Sequence, residues 1–358
     1  VKRISFGITK GHSFSFGTAS ANGVFKINSR EEIILTSREI IRVDSGIIVN
    51  RAPHQSSTGV YCPTYDALVT VTGVQSEFSV FLLNYDIREP ILKGVPLDQI
   101  GIYHVLFDDK NSILVTFGNG IKTWYFECLP KKARTCISDN YANIRPKASF
   151  APYYTAFMMI IPCLDVDNRR IFIPTSDGLL CYDYDGNFLP PPLAHNNHWF
   201  TMFTINPLTK KMLTSDRDEA KDAKQERAAN FKTPIVTQGV QYWRRNGTLY
   251  KELPFINASL FAAYFINNEF VVAIDAFFSV HIIDLKTMRF FTCLKIEFRP
   301  SHISFENDER DLRLVFCSVS SVYYYNICVP WRLWNLTHIP VTKILRCPKY
   351  ECAARISC

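Results

Sequence analysis

The chain lacks any hydrophobic run long enough to cross a membrane. Its longest apolar stretches, Phe150 to Leu164 and Leu260 to Ile283, are broken by Pro152 and Pro162 in the first and by Asn267, Asn268, Glu269 and Asp275 in the second. A helical span needs about 20 consecutive apolar residues. The opening residues, VKRISFGITK, hold neither the apolar core of a secretory signal nor an initiator Met. Long blocks of one charge are missing too. The formal charge is +7, but the basic residues fall in short pairs such as Lys131-Lys132, Arg169-Arg170, Lys210-Lys211 and Arg244-Arg245. Such pairs suit solvated turns better than a continuous nucleic-acid stripe.

The 11 cysteines are odd in number and irregular in spacing, and Cys163, Cys181, Cys293 and Cys317 sit inside apolar runs. That is the usage of a reduced thiol acting as a small hydrophobe, and it predicts a reducing compartment, hence a cytoplasmic protein. Motifs that announce common chemistry are absent: G-x-x-x-x-G-K-[ST], G-x-G-x-x-G, H-E-x-x-H, G-x-S-x-G and the EF-hand loop. His195 and His198 are three apart, but they follow three prolines and precede a strand, so they predict loop histidines rather than a metal pair. Cys347, Cys352 and Cys358 lack C-x-x-C spacing. In TSDGLLCYDYDG the carboxylates Asp177, Asp183 and Asp185 belong to hairpin turns, with Asp-Gly supplying positive φ. No metal, cofactor or catalytic residue is expected.

What the chain has in abundance is aromatic and β-branched residues, with 27 Phe and 17 Tyr in 358 residues. These favour sheets. The stretch from Gly101 to Glu127, GIYHVLFDDKNSILVTFGNGIKTWYFE, spells strand, turn, strand, turn, strand. Its middle strand recurs at positions anchored on Ile34, Val71, Val115, Ile173, Leu213, Val272 and Val315, at intervals of 37, 44, 58, 40, 59 and 43 residues. From Val71 onward another apolar run precedes each anchor: GVYCPTY, YHVLFD, AFMMIIPCLD, WFTMFTIN, LFAAYFIN and SHISFEN. A third strand follows, with an apolar or aromatic residue before Asp or Asn at Val43-Asp44, Leu83-Asn84, Tyr182-Asp183, Ile283-Asp284 and Tyr325-Asn326. A weaker fourth strand follows in most copies.

A four-stranded sheet cannot cover both its faces alone, whereas copies packed around an axis cover one another. The expected fold is all-β: a seven-bladed β-propeller of four-stranded antiparallel blades over residues 1–330, with 331–358 a connector or the first strand of a following module. Two β-sandwiches would account for the strands but not for the shared register or the period.

The segments VHIIDLKTM and LFDDKNSILVTFGNGIKTWYF resemble the strands of WD-repeat propellers, over roughly residues 20 to 330. The likeness is one of layout. Gly-His occurs once, at Gly11-His12, and no Trp-Asp dipeptide is present; Trp124-Tyr125 and Trp334-Asn335 come nearest. Aromatic packing is therefore expected to hold the blades. By the same resemblance, RISFGIT (Arg3 to Thr9) would close the ring as the outer strand of the last blade, beside Val322 to Ile327. RLWNLTHIPVTKIL (Arg332 to Leu345) is the competing candidate.

Two long excursions stand out. Ser215 to Pro234 interrupts the fifth blade between its second and third strands, as a short helix or a mobile loop. Cys128 to Tyr154 extends the link from the third blade to the fourth. Loops on a rigid scaffold commonly carry binding, and Lys131, Lys132, Arg134, Arg145, Lys147, Arg217, Lys221, Lys224 and Arg227 are the candidate partner-binding residues. The resemblance implies a non-catalytic protein–protein interaction scaffold in a larger intracellular assembly, of the ciliary, axonemal or cytoskeletal kind, with other proteins of the complex as partners. A propeller hydrolase or lyase would need carboxylates from several blades converging on the axis. An RNA-binding propeller would need one continuous basic face.

Overall fold

The computed structural model describes residues 7–15, 21–26, 32–37, 39–43, 48–51, 56–72, 77–82, 92–96, 102, 104–118, 120–125, 146–150, 161–175, 178–194, 199–217, 239–254, 260–300, 302–307, 312–318 and 321–328. Among them, regular structure consists of 28 strands and one short 3-10 turn, Pro63–Tyr65. The strands sort into seven four-stranded antiparallel sheets.

Six sheets are simple meanders, each strand beside its predecessor. The first holds β2 (Ala21–Lys26), β3 (Glu32–Thr36), β4 (Glu39–Arg42) and β5 (Ile48–Arg51). The second holds β6 (Ser56–Cys62), β7 (Ala67–Thr72), β8 (Glu77–Leu82) and β9 (Leu92–Pro96). The third holds β10 (His104–Asp108), β11 (Ile113–Phe117), β12 (Ile121–Tyr125) and β13 (Pro146–Phe150). The fourth holds β14 (Cys163–Asp165), β15 (Arg170–Thr175), β16 (Gly178–Asp183) and β17 (Phe188–Leu189). The fifth holds β18 (Trp199–Ile205), β19 (Met212–Arg217), β20 (Gly239–Trp243) and β21 (Leu249–Pro254). The sixth holds β22 (Leu260–Phe265), β23 (Phe270–Asp275), β24 (Ser279–Asp284) and β25 (Arg289–Lys295). The seventh joins the two ends of the chain. Its β26 (His302–Asn307), β27 (Leu312–Cys317) and β28 (Ser321–Cys328) are completed by β1 (Gly7–Ser15), which lies antiparallel to β28 with Gly7 opposite Cys328 and Ser15 opposite Ser321. The N-terminal strand thus takes the outer place, with Thr9 opposite Asn326. Residues 332–345, the competing candidate, lie outside the described residues.

Neighbouring sheets meet mainly through their first strands, as β2 with β6, β6 with β10, β18 with β22 and β2 with β26. The arrangement is that of a β-propeller with four-stranded antiparallel blades. The reason lies in the second strands. Each of the seven anchor residues falls on one of them, and a second strand has hydrogen-bonded neighbours on both edges and a neighbouring blade against each face. Every residue of β11 and of β23 is buried. These strands therefore read as unbroken apolar runs rather than alternating ones. The outer strand β25, by contrast, is wholly half-buried or exposed.

Aromatic packing does hold the blades, and two tryptophans add a hydrogen bond. Trp124 lies opposite Leu114, and its indole N–H donates to Thr116 Oγ1, two residues further along β11, at 3.3 Å. Trp243 repeats the arrangement opposite Met212, donating to Thr214 Oγ1 at 2.9 Å. Tyr182, Ile283 and Tyr325 stand opposite Ile171, Val271 and Leu314, and two residues beyond those partners come the apolar Ile173, Ala273 and Phe316. A hydroxyl is supplied where an indole needs one. In the sixth blade a histidine pairs with an aspartate: His281 Nε2 lies 2.9 Å from Asp275 Oδ2, and Nδ1 lies 3.0 Å from Thr292 Oγ1.

Three readings of the sequence are corrected. The first blade has a first strand, β2, which the period had not revealed; it is short and carries Gly23 at a bulge. The fourth blade's first strand begins only at Cys163, directly after Pro162, and is three residues long. Residues 128–145 do not link the third blade to the fourth. They join β12 to β13, because Pro146–Phe150 pairs with β12 as the outer strand of the third blade. The excursion in the fifth blade does lie between second and third strands, β19 and β20; the helix or loop expected there lies outside the described residues.

Candidate interaction surface

Alternating strands give each blade two ends. The turn from first to second strand and the turn from third to fourth emerge at one end; the turn from second to third emerges at the other. Side-chain carboxylates and amides cap the turns of the first kind, which is why Asp and Asn recur there. Asn206 Oδ1 accepts from the N–H groups of Leu208 and Thr209, both at 2.9 Å. Asn267 Oδ1 accepts from Glu269 and Phe270 at 2.7 and 2.8 Å. In the turns from third to fourth strand, Asp183 Oδ1 accepts from Asp185 and Asn187 at 2.9 and 2.8 Å, and Asp284 Oδ1 accepts from Lys286 at 2.8 Å.

These turns are stitched to one another from blade to blade. The Thr64 N–H donates to Asp109 Oδ1 at 2.8 Å. Asn111 Nδ2 donates to the Val166 carbonyl at 2.9 Å. Lys110 reaches Asp167 at 2.7 Å, and Lys210 reaches Asp165 at 2.8 Å and Asp167 at 2.6 Å. Asn206 Nδ2 donates to Asn268 Oδ1 at 3.2 Å. The second to sixth blades therefore share one end. Hydrogen bonds from Lys110 and then Lys210 hold the exposed Asp167 carboxyl at about 2. Burial works against the charge on Lys210, but its bonds to Asp165 and Asp167 prevail and hold it above the ordinary lysine value.

The outer strands add a second row of contacts at this end. Gly186, at φ +85°, sits where a Cβ would meet the Phe150 ring at 2.6 Å, so the third blade's outer strand bears on the fourth blade's turn. Gly247, at φ +81°, sits where a Cβ would meet the Pro192 carbonyl at 1.5 Å, and the Ala194 N–H donates to the Gly247 carbonyl at 2.9 Å. Lys251 Nζ donates to the Lys286 carbonyl at 2.5 Å.

On this rigid end lies a band of exposed apolar side chains. Tyr125, Phe188, Leu208, Leu249 and Tyr250 are exposed, with Leu208 at 84%; of the other exposed large hydrophobics among the described residues, Ile48 begins β5 of the first blade and Phe277 lies in the turn between β23 and β24, at the opposite end. The rings are interleaved with cations. Lys147 Nζ stands 4.7 Å from the Tyr125 ring centre, Arg244 5.1 Å from that of Tyr250, and Lys251 5.4 Å from the same ring. Tyr182 bridges Phe150 and Phe188 at 4.9 and 5.5 Å.

Of the residues singled out in the sequence, Lys147 is described with its side chain. It pairs with Asp185 of the next blade at 2.6 Å; burial opposes its charge, but the hydrogen bonds to Asp185 and then Tyr125 hold it above the ordinary lysine value. Its ammonium is committed within the molecule. Arg217 ends β19, and its side chain lies outside the described part. Lys131, Lys132, Arg134, Arg145, Lys221, Lys224 and Arg227 lie outside the described residues, as do His195 and His198. The topology nevertheless separates them. Residues 128–145 leave from the third-to-fourth-strand turn of the third blade, and residues 218–238 from the second-to-third-strand turn of the fifth. The described strands that flank the two excursions end at opposite ends of their blades.

No protein-family model matches the chain, and no curated protein does. A solved structure titled as the WD40 beta propeller domain of Doa1 superposes with a TM-score of 0.61, covering 89% of this chain and 97% of that one at 8% sequence identity. The chain is a WD40-like β-propeller in fold. At that identity the likeness concerns the fold and not the partners of either protein. Within the propeller, the exposed band of the third to fifth blades has no counterpart in the motifs read from the sequence. Its members are single exposed residues in separate strands and turns of these blades.

Proposed function

We propose that this chain is a non-catalytic protein–protein interaction scaffold, a seven-bladed WD40-like ring working inside a larger intracellular assembly. The observation that carries the reading is the band formed by Tyr125, Phe188, Leu208, Leu249 and Tyr250 on one end of three consecutive blades. Aromatic side chains left in water and backed by rigid, cross-linked turns are what protein interfaces use as anchors. The free thiols of Cys62, Cys163, Cys181 and Cys293 support a reducing environment. The described first-strand carboxylates also favour a scaffold over a hydrolase or lyase. Asp108 is bound by Asn111 and Tyr184, Asp165 by Asn168 and Lys210, and Glu306 by Arg313. Each is used to hold turns or neighbouring blades.

Photo-crosslinking from each exposed position in native cells tests this. A crosslinker at Phe188, Leu208 or Tyr250 is expected to trap partner proteins that one at Phe277, on the opposite end, does not. Equal trapping at both ends would overturn the assignment of the surface, and trapping at neither would overturn the scaffold reading.

A further inference from the structure

The outer end of the fifth blade carries cations that the rest of the band does not share. Lys211 Nζ lies 5.7 Å from the Tyr242 ring centre, the Tyr242 and Tyr250 rings are 5.8 Å apart, and Arg244 and Lys251 stand on Tyr250 at 5.1 and 5.4 Å. These distances make the group contiguous. Arg245 extends it, exposed beside Arg244 in the same turn. Tyr250 supplies exposed apolar surface at its centre, 45% accessible, and Leu249, the residue before it on β21, is 40% accessible. Among the described residues no carboxylate forms an ion pair with Lys211, Arg244, Arg245 or Lys251. Elsewhere at this end the lysines are matched, Lys110 and Lys210 by Asp165 and Asp167, and Lys147 by Asp185. Four like charges held together without a counter-charge repel one another, and an arriving anion relieves that repulsion.

Resting on the scaffold reading, we propose that this patch docks an acidic segment of a partner protein, its carboxylates meeting Arg244, Arg245, Lys211 and Lys251 while an apolar side chain packs on Leu249 and Tyr250. Two features set the occupant. The patch is one blade wide, with Asp183 in the fourth blade's turn on one side and Asp284, beside Lys286, in the sixth blade's turn on the other, which Lys251 touches through the Lys286 carbonyl. A nucleic-acid strand, with a charge on every phosphate, would be driven across those acids. A short peptide places two or three carboxylates on the cations and ends before them. The exposed tyrosine and leucine also ask for an apolar partner, which a phosphate backbone does not offer.

Fluorescence anisotropy on the whole chain tests the proposal, using a labelled peptide of alternating glutamate and phenylalanine, its glutamine counterpart, and an oligouridylate of matching length. The glutamate peptide is expected to bind about tenfold more tightly than the glutamine peptide, since two or three exposed charge pairs together amount to roughly that factor. Arg244→Glu combined with Lys251→Glu is expected to remove that preference, and Tyr250→Ser to weaken binding severalfold, with thermal unfolding unchanged in both. Equal binding of the two peptides, or tighter binding of the oligouridylate that the charge reversal abolishes, would overturn it. The crosslinks described above keep the two readings distinct: if the unaltered protein shows no preference for the glutamate peptide yet still traps partners at Phe188 and Leu208, the docking site fails and the scaffold stands.

Discussion

The Tyr184 hydroxyl of the fourth blade donates a 2.5 Å hydrogen bond to Asp108 Oδ2 of the third. Both side chains are buried, and the Tyr184 carbonyl in turn accepts from Thr123 Oγ1 at 2.9 Å. Burial, followed by the bond to Asp108, pushes the Tyr184 phenol far above its ordinary value. It stays protonated and donating across the working pH range.

Tyr184→Phe is therefore expected to destabilise the chain by about 1–3 kcal/mol, because the buried Asp108 loses a donor that Asn111 alone does not replace. Urea unfolding measures it. A change below about 0.5 kcal/mol would show that the third and fourth blades do not depend on this bond.

Trp243 and Thr214 form a pair suited to a double-mutant cycle. Trp243→Phe removes the N–H and part of the ring, and Thr214→Val removes the acceptor at nearly constant volume. Their coupling is expected at about 0.5–1.5 kcal/mol, the net worth of one buried hydrogen bond. Additive effects would mean that Trp243 acts by packing alone.

Ring closure has its own latch. Arg313 of β27 is bridged to Glu306 of its own blade and to Glu32 of β3 in the first, and all three side chains are largely buried. Arg313→Met would remove the cation that the largely buried Glu306 and Glu32 share, at a cost of about 3–5 kcal/mol. Removing β1 instead exposes the hydrogen-bonding edge of β28, and open edges aggregate. The first change is expected to lower the unfolding midpoint and the second to raise light scattering. The second effect would not be seen if the seventh sheet closed on some other strand.

Acid should weaken the fold in two steps. Burial, and then the neighbouring charge of His104, lower His302 from 6.5 to about 4. The unfolded chain takes up that proton first, so the stability His302 contributes is complete above about pH 6.5 and declines as the pH falls towards 4. Asp275 follows below this. Burial alone would raise it, but the bond with His281 and the N–H groups of Ser279 and Phe277 hold it under the ordinary carboxylate value. Its contribution is present above about pH 4 and lost as the pH falls further. Unfolding midpoints measured from pH 7 to 4 are expected to slope downward, and His302→Gln to flatten that slope. A slope unchanged by the substitution would remove His302 as its cause.

Much of this architecture is legible along the chain because second strands are buried on both faces. Ile113 to Phe117 and Phe270 to Asp275 announce themselves as apolar runs, and the turns beside them as Asp or Asn. The first strand of the first blade is not legible, since Asn22 and Gly23 interrupt its apolar residues. The outer strand at Pro146–Phe150 was assigned to a linker because 20 residues separate it from β12; sequence distance says nothing of pairing across so long a gap. The candidate surface was missed for a related reason. Tyr125, Phe188, Leu208 and Tyr250 are isolated residues in four different strands and turns, and no local pattern marks them as a group.

The sequence by itself determined the repeating sheet and the positions of its buried strands, because hydrophobic runs and turn residues act over a few neighbouring positions. Only the tertiary structure decided between the two strands the sequence offered for closing the last blade, set the two long excursions leaving from opposite ends, and satisfied Lys147 with Asp185 while Arg244 and Lys251 faced outward. Those outcomes depend on which blade stands beside which. The packing of whole sheets against one another fixes that, and it acts between residues hundreds of positions apart.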